Sequence, residues 1–412
     1  MKLHIVGGFL GSGKTTAIKN AAKALTAKDQ KVGIITNDQG GYPEDTSFVN
    51  ANYSPADEVI NGCFSSNFDS LSDKIASLNQ DLQPDYIFAE SVGSCTDLVS
   101  TVLKPLMIFN KSIFESVTLS IFVDARLLIS YLEDDKLLFG DDVSYIFGKQ
   151  IEEADLLIIN KIDLLGEADF PKLKKLVDNK LKDKIMIISQ NSFNPQNIDN
   201  WLNTINSLPS RKRESLEINY QSYGKGEADL TWLDEEISFT SLKTKAGEFA
   251  IRFIKNVMMD IKQKQIPIGH IKFMLVNGEQ AQKISFTAIY DEDWKKNLLP
   301  VSSNLVKLMM NVRIESTQDM IRTIIQNGIA SVSNNEVKVV LTNASARPSG
   351  VLIPGHHNTN AIHCCEECIC LKKLLARNAI RIEDGSSVAL SELEDEEFEC
   401  NGVCSEGEGC CC

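Results

Sequence analysis

The stretch GFLGSGKT, Gly8 to Thr15, fits the pattern G-x-x-x-x-G-K-[ST]. It follows an apolar run, LHIVGGF (3–9), and opens a segment of helical composition, KTTAIKNAAKALTAK (14–28). Strand, glycine-rich turn and helix in that order make a phosphate-binding loop. The glycines let successive backbone N–H groups turn inward around phosphate oxygens, and the helix N-terminus adds partial positive charge. Gly8, Gly11, Ser12, Gly13, Lys14, Thr15 and Thr16 are the expected nucleotide contacts. Lys14 would reach the β- and γ-phosphates, and the Thr15 hydroxyl would ligate magnesium.

Outward from the loop, the first 207 residues alternate near-continuous apolar runs with helix-like segments. The runs are KVGIITND (31–38), DYIFAES (85–91), VTLSIFVDA (117–125), ADLLIINK (154–161) and KIMIIS (184–189). Buried strands separated by helices predict an α/β fold, a doubly wound and mostly parallel sheet covered on both faces. Ligands of such sheets bind at the C-terminal strand ends. Two acids sit at such ends: Glu90 in ESVG (90–93), expected to act near magnesium or on the attacking water, and Asp38 in NDQGG (37–41). Either could instead be an ordinary strand-end or turn residue.

NKID (160–163) follows the strand LLII and names the base. Asp163 can accept from the two N–H donors on guanine's edge, which adenine lacks. Asn160 would brace the loop, and the Lys161 stem would pack on the base. Ser189, in SQN (189–191), follows the next strand, where a backbone contact to the base is expected.

Residues 208–234 turn polar and are expected to form a linker. Residues 235–345 read as a smaller α+β domain: strand, helix, three strands, helix, strand, with NGE (277–279) as a turn. Residues 346–412 are expected to form a partly disordered tail rich in His, Cys and acids. Within it, positions 383–408 hold ten acidic residues and no basic one.

The net charge of -14 argues against broad nucleic-acid binding, which needs Lys and Arg on phosphates. No apolar run is long enough for a membrane helix, and the N-terminus has no signal-peptide pattern. A cytoplasmic location, with no nucleic-acid or membrane partner, is the expectation. Eleven cysteines in such a chain favour metal binding or reactive thiols over disulfides. Cys63 and Cys95 stand alone, and nine others begin at Cys364.

GFLGSGKTT, NGCF (61–64), ESVG and NKID, in this order and at these intervals, resemble the CobW-type GTPases, relatives of HypB and UreG. The following α+β domain also looks like the C-terminal portion of that family. GEADLTWL (226–233) is similar to members associated with corrinoid-dependent methyltransferase systems. The resemblance implies a GTP hydrolase that couples turnover to metal delivery or metal-centre assembly. It implies a client metalloprotein or cofactor-bearing protein and a nucleotide-dependent homodimer. It also implies a Cys-x-Cys-Cys metal site after the glycine matching Gly62. Here only Cys63 matches, with Ser65 and Ser66 in place of the other thiols, and a neutral hydroxyl is a poor ligand for a soft divalent metal such as zinc, cobalt or nickel.

The thiol-rich tail offers a replacement in HHNTNAIHCCEECIC (356–370), with Cys364, Cys365, Cys368 and Cys370 as metal-ligand candidates. A small structural zinc knot and a redox-sensitive free tail are the other readings of the same residues. Three functions stay open. One is a metallochaperone-like GTPase. Another is a GTPase that reactivates or loads a protein-bound cofactor such as a corrinoid, without carrying free metal. The last is a non-enzymatic metal buffer regulated by nucleotide. His4 and His270 fall in apolar strands, where a histidine is more often a satisfied core or edge residue than a ligand.

Overall fold

The computed structural model describes residues 1–37, 56–59, 63–109, 113–134, 137–181, 186–208, 213–278, 280–290, 293–296 and 298–347. Asp38 and Cys364, Cys365, Cys368 and Cys370 therefore lie outside the described residues.

The described N-terminal residues build a seven-stranded sheet in the order β3-β2-β4-β1-β5-β6-β7. The strands are β1 (Lys2–Gly7), β2 (Val32–Asn37), β3 (Ala56–Val59), β4 (Tyr86–Glu90), β5 (Ser116–Asp124), β6 (Leu156–Asn160) and β7 (Met186–Gln190). Every pairing is parallel, so the doubly wound reading holds. Helices α1 (Lys14–Thr26) and α7 (Pro195–Ser207) cover one face, where Ala17, Ile18, Trp201 and Ile205 pack against Val6, Phe88, Phe122 and Ile158. The other face carries α2 (Phe68–Leu82), a π-helical turn (Val99–Leu103) running into α3 (Lys104–Phe109), and α4 (Ala125–Asp134), α5 (Asp141–Glu152) and α6 (Asp169–Lys180). Apolar side chains point both ways from the central strands, which is why those strands read as unbroken hydrophobic runs.

β3 was not expected. ADEV is four residues long and carries two acids, so it shows no apolar run; an edge strand needs none. Lys74 of α2 pairs with Asp57 at 2.7 Å, and Asn37 Nδ2 donates to the Val59 carbonyl at 2.9 Å.

The second sheet is antiparallel, in the order β10-β9-β11-β8-β12. It comprises β8 (Leu230–Ser241), β9 (Ile268–Asn277), β10 (Gln280–Thr287), β11 (Leu305–Glu315) and β12 (Val337–Arg347). Helices α9 (Ala246–Gln263) and α10 (Gln318–Val332) seal one face with Phe249, Phe253, Val257, Ile321 and Ile325. The turn expected at NGE joins β9 to β10, where Gln280 faces Asn277 and Gly278 takes φ 61°.

The stretch expected to link the two sheets is folded over much of its length. Residues Tyr220–Asp229 form α8, and β8 begins at Leu230 rather than at 235. The two glycines of YQSYGKGEAD hide the helix, since glycine disfavours one. Two tertiary features override that preference. Asn219 Oδ1 caps the start, accepting from Gln221 N and Ser222 N. Gly226 lets α8 lie against α5, because a Cβ there would come within 2.5 Å of the Asp142 carbonyl oxygen. At the other boundary β12 continues to Arg347, past the expected end at 345.

Both strand histidines are bonded inside the protein. His4 is fully buried with Nδ1 2.6 Å from Thr118 Oγ1, and burial pulls its pKa down to about 3. His270 Nε2 lies 2.6 Å from Asn311 Oδ1, and Asn311 Nδ2 donates to Asp234 Oδ1 at 2.6 Å.

Candidate nucleotide site

Strand register assembles the site before any side chain is considered. Val6 of β1 lies opposite Glu90 of β4, Gly7 opposite Ile121 of β5, and Asp124 of β5 opposite Asn160 of β6. Glu90, Asp124 and Asn160 therefore form a row along the C-terminal sheet edge, beside the loop that leaves β1 at Gly7.

Within the loop, Gly8 has φ 121°, and a Cβ there would sit 2.1 Å from the Phe122 carbonyl oxygen, so only glycine fits. Gly13 has φ 94° immediately before α1, and a Cβ there would meet Asn160 Nδ2 at 2.4 Å. Lys14 is buried and curls back onto the loop, donating from Nζ to the Gly8 carbonyl at 2.7 Å and to the Phe9 carbonyl at 3.3 Å. A phosphate here would compete with neutral carbonyls for the ammonium, and its charge favours it. Thr15 Oγ1 donates to Glu90 Oε1 at 2.8 Å. A hydroxyl and a carboxylate oxygen side by side form a hard-oxygen donor set that suits magnesium. Thr16 is half-buried in the first turn of α1.

Asn160 ties the loop to the base side. Its amide donates from Nδ2 to the Ser12 carbonyl at 2.8 Å, and its Oδ1 accepts from Ser192 N at 3.2 Å and Ser192 Oγ at 2.8 Å. Lys161 adopts φ 63°, and its Nζ pairs with Asp124 Oδ2 at 3.0 Å. Burial works against ionisation of Asp124, but Arg126 and Lys161 overcome it and hold the carboxyl below its usual range. Asp163 is exposed in a short 3-10 turn, Ile162–Leu164, free of the packed core.

The structure thus gathers Gly8, Gly11, Ser12, Gly13, Lys14, Thr15, Glu90 and Asn160 in direct contact, with Lys161 and Asp163 flanking them. Ser189 is set apart: it is exposed on β7 opposite Ile159. Ser192 and Asp124 are the residues that sequence reasoning missed. Asp124 ends a strand and was findable by that rule. Ser192 gives no signal beyond its nearness to the SQN segment.

The second sheet touches the loop. Thr287 Cγ2 lies 2.5 Å from where a Cβ on Gly11 would be, and Leu10 packs against Gly269. Arg313 of β11 is buried and crosses between the sheets. It donates to the Leu230 carbonyl at 3.0 Å and to Ser94 Oγ at 2.9 Å, approaches Glu227 at 3.8 Å, and stacks on Trp232 at 4.3 Å.

The thiol loop differs from a metal-presenting one. Cys63 is buried, and Cys95 is buried in the same apolar core. Ser66 Oγ accepts from Cys63 N at 3.0 Å and lies 3.4 Å from Cys63 Sγ. The Ser65 hydroxyl is buried 2.8 Å from Thr101 Oγ1. The two serines are thus engaged in holding the turn. Among the described residues, no group of three or more His, Cys, Asp or Glu is placed to hold a metal ion.

Fold and site together define a P-loop nucleotide-binding domain of the GTPase type. The CobW/HypB/UreG nucleotide-binding domain matches residues 2–188. The zinc chaperone CobW of Sinorhizobium sp is 25% identical over 207 residues, covering 45% of this chain and 57% of that protein. This chain therefore spans less than two thirds of that relative's length. The urease accessory protein UreG of Staphylococcus saprophyticus is 30% identical over 171 residues, covering 39% of this chain and 71% of that protein. The chain belongs to the CobW/HypB/UreG family of P-loop GTPases. HypB from Helicobacter pylori, solved in complex with nickel, aligns at a TM-score of 0.37 and 19% identity over 52% of this chain and 91% of that one. No helix among the described residues is long and apolar enough to cross a membrane.

Proposed function

We propose that this protein is a magnesium-dependent GTPase that couples GTP hydrolysis to metal delivery or metal-cofactor assembly on a client protein. The observation that carries it is the Asn160 bridge, which joins the phosphate loop to the NKID turn in a chain of this family. Lys14 binds the β- and γ-phosphates, Thr16 and the loop amides bind the others, and Asp163 reads the guanine edge while the Lys161 stem lies on the base. Thr15 and Glu90 would hold magnesium, which when bound neutralises phosphate charge. Glu90 would also orient the attacking water, and Asp38 is assigned to the same metal. Hydrolysis then releases the loops ordered by the γ-phosphate.

The cargo, a soft divalent metal such as zinc, cobalt or nickel, is a substrate of this cycle. Its capture is assigned to the C-terminal cysteines, Cys364, Cys365, Cys368 and Cys370, with Cys63 at most a partial ligand. The inward bonding of Ser65 and Ser66 supports a second reading, in which the GTPase acts on a cofactor-bearing client and carries no free metal.

GTP and ATP turnover in the full chain and in Lys14→Ala tests the activity. Equal use of ATP, or unchanged turnover in Lys14→Ala, refutes it. Metal content of the full chain and of residues 1–347 separates the two readings, the cut falling after β12 so that the second sheet stays whole. Loss of metal on truncation supports capture by the tail, and no metal in either favours the cofactor-bearing client.

A further inference from the structure

We propose that Asp124 is a positioning residue for the nucleotide base: it anchors the Lys161 ammonium so that the lysine stem lies as a fixed apolar shelf against the base. The inference deepens the proposed function and rests on NKID being the base-binding turn. It adds a residue from outside that turn and outside the phosphate loop, since Asp124 ends β5.

The Lys161 stem is fixed at three points. At its root, the backbone takes φ 63° and ψ 34° directly after Asn160, whose side chain is bonded to the Ser12 carbonyl and to Ser192. Few residues other than glycine adopt that left-handed conformation, and those that do gather at ligand sites. Midway, Lys161 Cε passes 3.9 Å from the position that a Cβ on Gly13 would take, beside the phosphate loop. At the tip, Nζ donates to Asp124 Oδ2 at 3.0 Å. A lysine side chain carries much rotamer freedom. A stem held at both ends has given up most of it before a base arrives, which is preorganisation of the binding surface.

The anchor is held in its turn. Register sets Asp124 opposite Asn160, the residue before Lys161. Arg126 grips both carboxylate oxygens, donating from Nε to Oδ1 at 3.0 Å and from its terminal nitrogen to Oδ2 at 2.7 Å, and Arg126 N adds a bond to Oδ1 at 3.0 Å. A bidentate guanidinium already compensates the charge of this buried carboxylate. Asp124 therefore does not need a second cation for its own sake, and the pair with Lys161 serves the lysine. The pairing also decides what the shelf offers. Its ammonium is drawn toward β5, so the methylenes are the part left to meet a base, while Lys14 serves the phosphates. Packing on methylenes suits any purine face, and choice among purines is left to Asp163. Asp124 should thus control how tightly a base is held rather than which base is chosen.

The test is calorimetric titration of the full chain with GTP, ATP and inorganic tripolyphosphate, each with magnesium. Asp124→Asn should weaken GTP about 10-fold and leave tripolyphosphate within about 2-fold of the parent. Lys161→Met, which keeps a stem but no ammonium, should lose a similar factor. The double variant should lose little more than either alone, because both remove one anchor. Unchanged GTP affinity in Asp124→Asn, or losses that add in the double variant, overturn the proposal. An equal loss for GTP and tripolyphosphate also overturns it, since a merely structural role would weaken both. If circular dichroism shows Asp124→Asn unfolded, Lys161→Arg and Lys161→Met carry the test. The arginine retains the pair and should bind GTP more tightly than the methionine, and equal affinities overturn the anchor. A parent that binds GTP and ATP alike refutes the guanine reading. In that protein, loss of both nucleotides but not of tripolyphosphate in Asp124→Asn still upholds the shelf.

Discussion

Asn160→Ala should destabilise the protein and weaken nucleotide binding together, because one buried amide serves both the phosphate loop and the base loop. The side chain is 1% exposed and makes three hydrogen bonds. Removing it orphans the Ser12 carbonyl and the Ser192 N–H. The Ser192 hydroxyl has an alternative, since Gln190 Oε1 lacks a partner and Gln190 Nε2 already contacts Ser192 Oγ at 3.0 Å. Two buried groups left unpaired, at about 1–3 kcal/mol each with some recovered by water, give a loss of roughly 2–4 kcal/mol. Urea denaturation followed by circular dichroism measures it, and titration of a fluorescent GTP analogue should show about 10- to 100-fold weaker binding. Asn160→Asp keeps the bonds from Ser192 but sets an anion against the Ser12 carbonyl, so it should weaken binding at least as much. Gly13→Ala supplies the sharper check. Its Cβ would strike Asn160 Nδ2 at 2.4 Å, on top of strain at φ 94°. In the Asn160→Ala background the collision disappears and only the strain remains, about 1–3 kcal/mol. Gly13→Ala should therefore cost at least about 1 kcal/mol less in that background. Strictly additive effects, or an Asn160→Ala penalty below about 1 kcal/mol, would refute the bridge as the structural link between the two loops.

Arg313→Met should leave Glu227 buried without its cation and cut the tie to Ser94, destabilising the chain by about 3–5 kcal/mol, and Arg313→Lys should recover only part of this; thermal unfolding measures both. Glu235 lies on the helix-covered face of β8, 2% exposed, and burial raises its pKa to about 7. Its folded value stands above its unfolded one, so its cost is absent below about pH 4.5, grows as pH rises toward 7 and is constant above. Glu235→Gln should therefore exceed the parent in stability at pH 8 by about 2 kcal/mol and converge with it near pH 4, as denaturation across that range would show. His4 has the opposite sign among the groups that burial keeps neutral: with its folded pKa near 3, its contribution is complete above about 6.5 and is lost as pH falls toward 3. His4→Gln should accordingly flatten the acid limb of the stability profile.

The first sheet was legible because its central strands are continuous apolar runs ending where the motifs sit, although its strand order comes from the structure alone. β3 was hidden because an edge strand needs no such run. α8 was hidden because its stability comes from a cap and a close approach to α5, neither of which composition records. The site divides in the same way. Residues within motifs could be named in advance, since backbone geometry demands glycine, lysine and threonine at fixed spacing. Partners that reach the site across the fold could not: Ser192 to Asn160 and Arg313 to Ser94. Cys63 shows the consequence most clearly. By itself it is the remnant of a three-thiol metal site, and its two missing partners argue for lost function. In the fold Cys63 is buried, and the serines standing in place of those partners are bonded inward, Ser66 Oγ accepting from Cys63 N and Ser65 Oγ from Thr101 Oγ1. The two hydroxyls that read as missing ligands are therefore hydrogen-bonding parts of a packed turn, a role that a list of ligand types does not record.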